Sequence, residues 1–342
     1  MQIGSHSKRG NLALWDRIQR LSGAFCAIAA TFLANVDLAL ASCDSGSRVE
    51  EFRFDSRVFK NSRPVRVYVP PGYADRENAN RSYPLMFVTD GNMAFRTSIP
   101  NIVTVADRAI TAGRWPAMII VGPFNGAGTD KSTHAGRDRA REFLPWPDQG
   151  FGPDRWYVPD PPDPIGKLYP QFLLDELSLE VRSRFRVSVA REDTALVGFS
   201  YGGVAALYSA LARPDQVGLL SVESTPLWMG ANRDLLKWIE LQSRWPNRLS
   251  IGAAARETED QVVLSEGRKN LTMLADIARS RTTASSVQFL IHEDAKHDTR
   301  SWMDRLTQAI EFLFKGSKHM RCQSKSPDPG QIGQLDANVR GE

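Results

Sequence analysis

The chain has 342 residues, 42% of them hydrophobic and 24% charged, proportions that exclude a collagen-like, disulfide-framework or wholly disordered protein. Its 43 Lys and Arg against 39 Asp and Glu leave a formal net charge of +4, too little and too scattered for the basic face that nucleic acid requires. Cys26, Cys43 and Cys322 have no metal-ligand spacing, no cofactor motif is present, and no apolar run suits several membrane spans.

Residues 1–41 differ from the rest. Lys8, Arg9, Arg17 and Arg20 precede an apolar stretch at 21–34, and Ala39-Leu40-Ala41 supplies a small-x-small end. These are the three parts of a secretory signal peptide, predicting cleavage after Ala41 and a secreted or periplasmic protein. Leu40-Ala41-Ser42-Cys43 also resembles a lipobox, which would anchor the chain to a membrane through Cys43. Asp37 and the polar break at Asn35 favour ordinary cleavage. Cys43 and Cys322 then stand at opposite ends of the mature chain, either paired in an oxidising compartment or unpaired in terminal segments.

From 42 to 315 the pattern is that of a single α/β domain. Residues 48–59 and 63–70 alternate as two antiparallel strands around Lys60-Asn61-Ser62. Apolar runs at 84–89, 117–121, 194–197, 217–222, 248–251 and 287–291, bounded by turn residues, predict buried strands. Helical stretches at 98–113, 168–185, 201–212, 232–243, 259–281 and 301–315 fall between them. Such alternation implies a mainly parallel sheet with helices on both faces, after an N-terminal antiparallel hairpin. One insertion, 124–167, breaks the pattern: 44 residues rich in Pro, Gly, Asp and Trp, far beyond an ordinary loop. Residues 316–342 are polar, the composition of a disordered tail.

The chemistry enters at Gly198-Phe199-Ser200-Tyr201-Gly202, a G-x-S-x-G between an apolar strand and a helix. This is the pattern of a nucleophile elbow, in which a serine on a sharp turn projects its hydroxyl above the sheet edge. A serine hydroxyl is a weak nucleophile until a base takes its proton. Ser200 would also open a helix, so that the amide of Tyr201 faces a developing oxyanion. The base and acid follow in the order Ser, acid, His in this arrangement. His297 lies in the polar loop 293–299 between the last strand and the last helix, where a base reaches over the sheet. His292 ends a strand, His319 is in the tail, His134 precedes the elbow and His6 is in the leader. The acid is expected after the strand at 248–251, where Glu257, Glu259 and Asp260 cluster. Glu259 and Asp260 suit the first turn of the following helix and Thr258 its cap. Glu257 precedes that cap and is free to orient His297; Glu259 and Asp260 stay open as alternatives.

At these residues the chain resembles the putative-esterase branch of the α/β-hydrolase superfamily, which includes enterochelin-type siderophore esterases, S-formylglutathione hydrolases, feruloyl esterases and mycolyltransferases. The likeness runs through Val65-Arg-Val-Tyr-Val-Pro-Pro-Gly-Tyr73, Thr89-Asp-Gly-Asn92, Arg139-Ala-Arg-Glu142-Phe143 and Phe172-Leu-Leu-Asp-Glu176-Leu177. Gly252…Arg256-Glu257 is similar to the family's acid segment, and His297-Asp298 with Trp302 to its G-H-D-x-x-x-W end. Ala295-Lys296 replaces the family's Gly-Gly before the histidine, and the acid loop is about a residue longer. The resemblance implies an α/β-hydrolase fold and hydrolysis of a small-molecule carboxylic ester without a cofactor. It also implies that the second oxyanion amide belongs to Asn92. Within the insertion, Trp146, Trp156 and Tyr157 suit stacking on an aromatic acyl group, and Arg137, Arg139 and Arg141 suit an anionic one. A catecholate siderophore is both; the same Trp and Pro equally suit packing of a long loop. Acyl transfer, or feruloyl or carbohydrate ester hydrolysis, would use the same serine. A non-catalytic binding protein of this fold would normally have lost the serine, base or elbow glycines, all of which are present.

Overall fold

A computed structural model describes residues 43, 45–148 and 163–322. The predicted leader at 1–41, Trp156, Tyr157 and the tail from 323 lie outside the described residues. Strands and helices alternate along the chain. The hairpin β1 (Arg48–Ser56) and β2 (Asn61–Val69) turns through Lys60 at φ 52°. Then come β3 (Leu85–Val88), α1 (Gly91–Ala94), α2 (Ile102–Thr111), β4 (Ile119–Pro123) and α3 (Ala135–Phe143). A π-helical segment, Gln171–Leu177, runs into α4 (Ser178–Arg184), and β5 (Thr194–Phe199) and α5 (Tyr201–Ala212) follow. The last third holds β6 (Leu219–Glu223), α6 (Asp234–Glu240), β7 (Arg248–Arg256), α7 (Gln261–Arg281), β8 (Val287–Lys296) and α8 (Thr299–Leu313).

The eight strands form one sheet in the order β1-β2-β4-β3-β5-β6-β7-β8. β1, β2 and β4 pair antiparallel and every other pairing is parallel. This is the mixed α/β-hydrolase sheet with its N-terminal hairpin. Every residue of β3, β4, β5 and β6 is buried, which requires cover on both faces and explains why these strands read as unbroken apolar runs. β1 is an edge strand that keeps Arg48, Glu51 and Arg53 exposed, discouraging further pairing. α8 packs over β6, β7 and β8 and against α2, while α5 packs on β5 and β6.

Two expectations change in the structure. The insertion at 124–167 is not all loop: it carries α3, a polar helix whose Asp138 accepts from the amides of Thr133 and His134. Gly136 and the run of charged residues hide it, because only Ala140, Glu142 and Phe143 are buried and no apolar stripe forms. The polar tail does not begin at 316. The carbonyl of Met320 accepts from Ala117, His319 Nε2 lies 2.6 Å from Asp193 Oδ1, and Cys322 is disulfide-bonded to Cys43 with their Cα atoms 5.8 Å apart.

Candidate active site

The strand β5 delivers Ser200 to its C-terminal end at φ 54°, ψ −128°, a conformation that L-residues rarely adopt and that the surrounding fold must enforce. Glycine is required on either side. A Cβ at Gly198 would stand 2.2 Å from the carbonyl oxygen of Gly202, and one at Gly202 would stand 2.2 Å from Thr89 Oγ1. The turn places Ser200 at the N-cap of α5, so the Tyr201 amide is the first of the helix and has no acceptor within it.

β8 is longer than its apolar stretch predicts and runs to Lys296, so His297 leaves the end of a strand rather than a loose loop. His297 Nε2 lies 3.1 Å from Ser200 Oγ, and Nδ1 lies 2.5 Å from Glu257 Oε2. An ionised carboxylate can only accept, so Nδ1 carries the proton and Nε2 faces the serine hydroxyl as acceptor. Burial pushes the Glu257 carboxyl up, but His297, Ser224 Oγ at 2.6 Å and the Ala254 amide at 2.6 Å together hold it below the usual value. Asp298 caps α8 by accepting from the Ser301 amide. One turn later Trp302 packs edge-on against His297 at 5.0 Å and lies stacked on Phe199. The G-H-D-x-x-x-W likeness therefore has a mechanical content: a helix cap, the histidine and the ring that braces it.

The other candidates fall elsewhere. Asp260 caps α7, its Oδ1 accepting from Val262 and Val263, and the carbonyl of Glu259, beside it, accepts from Gln261 Nε2. His292 pairs with Ala254 inside the sheet, where burial and Arg305 hold it below the usual histidine value. His134 opens α3 on the surface.

Arg139 and Glu142 stand one turn apart on α3 and hold two different parts of the fold. Arg139 makes a bidentate pair with Asp90 at 2.6 and 2.7 Å, and Glu142 takes the fully buried Arg63 of β2 at 2.6 Å. Asp90 itself sits at φ 58°, immediately before α1. Asn92, the residue expected to give an oxyanion amide, is the second residue of α1, and its side chain meets Asn125 at 3.4 Å. Two nitrogens of Arg139 are thus committed to positioning the loop after β3, not left to meet a substrate.

Trp146 is not on the cleft. Its ring packs against Tyr208 at 6.0 Å and Trp238 at 6.3 Å, with the Lys167 ammonium over its face. The cleft, about 440 Å³, is lined by Ser200, His297 and Glu257, by Pro226 and Trp228 after β6, and by Val263, Leu264, Arg268 and Leu271 of α7. Asp148 forms part of its floor, accepting from Tyr201 Oη at 2.5 Å and Trp228 Nε1 at 3.1 Å. Burial and the Asp148 carboxylate push the Tyr201 phenol well above its ordinary value, so it remains a donor.

Ser224 is a residue that sequence reasoning passed over. It follows β6 at φ 51°, donates to Glu257 Oε1 and accepts from Trp302 Nε1 at 3.0 Å. The signal was available: if β6 lies between the elbow strand and the acid strand, its last residues must stand between nucleophile and acid. Beside it, Glu223 pairs with Arg305 at 2.8 Å inside the core.

A model of the family described as Putative esterase matches residues 56–313. The chain belongs to this esterase family. Among characterised relatives, this family member is 27% identical over 165 residues to the siderophore triacetylfusarinine C esterase of Aspergillus fumigatus. That match takes in 48% of this chain and 51% of the relative, so the chain spans about half of that esterase. It is 19% identical over 259 residues to the uncharacterized protein YbbA of Bacillus subtilis, covering 74% of this chain and 93% of that one. Among solved structures, an IroE-like serine hydrolase from Shewanella oneidensis superposes with a TM-score of 0.60 at 19% identity, over 78% of this chain and 80% of that one. The enterobactin esterase FES from Shigella flexneri, in the presence of enterobactin, gives 0.57 at 19% identity over 81% of this chain and 61% of that one. At this identity the structures speak to the fold, which they share.

Proposed function

We propose that this protein is an exported serine esterase that cleaves a small-molecule carboxylic ester through an acyl-enzyme intermediate. The observation that carries the reading is His297, which bridges Ser200 Oγ and Glu257 within hydrogen-bonding distance of both. In the proposed cycle Ser200 Oγ attacks the ester carbonyl as its proton passes to His297 Nε2, and Glu257 stabilises the imidazolium. The amides of Tyr201 and Asn92 receive the oxyanion. Collapse returns the proton to the departing alcohol and leaves an acyl-serine, which a water molecule cleaves by the same steps in reverse. The proposed substrate is a siderophore-type ester, a reading supported by the names of the relatives and by the Trp228-lined cleft. Hydrolysis of aromatic or carbohydrate esters, and transfer to an alcohol acceptor, use the same constellation and differ only in what enters the cleft.

Export is supported by the leader pattern and by the disulfide, which is stable only in an oxidising compartment. The Cys43–Cys322 bond also bears on membrane anchoring, because a thiol engaged in a disulfide is not free to carry a lipid. Among the described residues no helix is long and apolar enough to cross a membrane.

A fluorophosphonate probe is expected to label Ser200 of the wild-type protein and to fail on Ser200→Ala. A panel of acetyl, feruloyl, thioester and ferric siderophore esters then identifies the acyl group. An inert Ser200 would leave a binding protein of this fold. Mass spectrometry of envelope protein is expected to find Ser42 as the mature N-terminus; an acylated Cys43 would instead place the protein at a membrane surface.

A further inference from the structure

The charges that line the cleft are nearly all spent within the protein. Glu257 is taken by His297, Ser224 and Ala254. Asp148 accepts from Tyr201 and Trp228, and Arg139 is forked onto Asp90. Arg268 is different. It projects from the second turn of α7 into the same cleft as Ser200 and His297, and among the described residues it has no acidic partner. Its guanidinium makes one long hydrogen bond, from Nη2 to the Ala255 carbonyl at 3.5 Å, while Nε is shut off from solvent without any acceptor.

The surroundings make this costly. Val263, Leu264, Leu271 and Pro226 give that wall of the cleft an apolar surface, where a half-buried cation loses part of its hydration and recovers little from one long hydrogen bond until an anion arrives. A guanidinium is also the side chain best shaped to meet a carboxylate, through two parallel hydrogen bonds. Arg63, Arg139 and Arg305 are each paired with a carboxylate, and Arg191, which has none, donates to two backbone carbonyls away from the cleft. Arg268 has neither arrangement and faces the reacting groups.

We infer that Arg268 is the anion-reading residue of the cleft, and that the ester this protein cleaves carries a carboxylate or comparable anionic group beside the scissile bond. The inference rests on the esterase reading above and adds the chemical class of the substrate. It also predicts the side of the cleft, toward α7, on which the anion lies.

The test uses two matched pairs of esters. In one the anion is on the acyl side: 4-nitrophenyl hemisuccinate against its neutral amide, 4-nitrophenyl succinamate. In the other it is on the alcohol side: 4-acetoxybenzoate against 4-acetoxybenzamide. The quantity read is the ratio of kcat/KM, carboxylate over amide, within each pair. The wild-type protein is expected to favour the carboxylate in one pair by about ten-fold or more, the worth of one charge-assisted hydrogen bond. Arg268→Gln is expected to erase that preference, and Arg268→Lys to restore part of it as a point charge. The responding pair tells whether the anion belongs to the acyl group or to the alcohol. No carboxylate preference in either pair, or a ratio that Arg268→Gln leaves unchanged because both members fall together, would overturn the assignment. Fluorophosphonate labelling of the same preparations separates the two readings. Lost labelling of the wild type sinks the esterase itself, whereas intact labelling without a carboxylate preference sinks the role of Arg268 alone.

Discussion

Glu257 grips His297 with one oxygen and is gripped by two donors through the other. Glu257→Gln keeps the shape but replaces an ionised acceptor with an amide that cannot stabilise an imidazolium. We expect kcat to fall by about 10²–10⁴, less than for Ser200→Ala or His297→Ala, because the acid orients and stabilises but does not exchange a proton with substrate. Asp260→Asn is expected to stay within about two-fold of wild type, since Asn caps a helix as well as Asp. An inactive Asp260→Asn beside a nearly normal Glu257→Gln would reassign the acid. Glu223, at the end of the neighbouring strand β6, behaves in the opposite sense. Burial raises its carboxyl to about 7 despite Arg305, and the Glu257 charge adds to the rise. The folded state therefore holds this proton more tightly than the unfolded state. The stability so contributed is complete below the ordinary glutamate value, about 4.3, and is lost as pH rises through about 7. Glu223→Gln does not titrate, so its Tm relative to wild type is expected to rise between about pH 5 and about pH 8. A constant difference across thermal melts would mean that Glu223 does not change charge there.

At the scale of elements, the insertion does more than cover the sheet. α3 ties the loop after β3 through Arg139 and ties β2 through Glu142, so one polar helix holds the ground on which the segment carrying Asn92 rests. Glu176 of the π-helical segment does similar work at the hairpin, accepting from Ser56 Oγ and the amides of Arg57 and Val58. Trp146 belongs to this supporting layer. Trp146→Ala is expected to lower stability by about 2–3 kcal/mol, toward the low end for a large aromatic because the ring is only half-buried. It should shift KM for acetyl and aromatic esters together. A rise confined to aromatic esters would put the ring back on the cleft.

At the scale of the whole molecule, the described chain is closed by a bond between its two ends. Cys43 and Cys322 are 279 residues apart in sequence, so the disulfide denies the unfolded chain the separation of nearly its full described length. Cys322→Ser is expected to cost on the order of 3–5 kcal/mol, read as a lower denaturant midpoint. A reducing agent should reproduce the loss in the wild type and leave the variant unchanged. If neither lowers the midpoint, the docking of Met320 on Ala117 and of His319 on Asp193 suffices to hold the ends.

What the sequence determined by itself was everything that repeats locally. The buried strands are written as short apolar runs and α5 as a helix of small and apolar residues. The elbow is legible because a serine turn with so little room admits only glycine on both sides. The choice of His297 over His292 followed from its place between the last strand and the last helix, and that of Glu257 over Asp260 from which residues suit the first turn of a helix. Only the tertiary structure decided the rest, since it depends on residues distant in the chain meeting at one sheet edge. That Arg139 serves Asp90, that Ser224 steadies Glu257 and that Trp228 rather than Trp146 faces the cleft has no local signature. An arginine, a serine or a tryptophan carries the same propensity whether it supports the site or lines it. Its role is set by the strand order, which brings the ends of β3, β5, β6, β7 and β8 side by side.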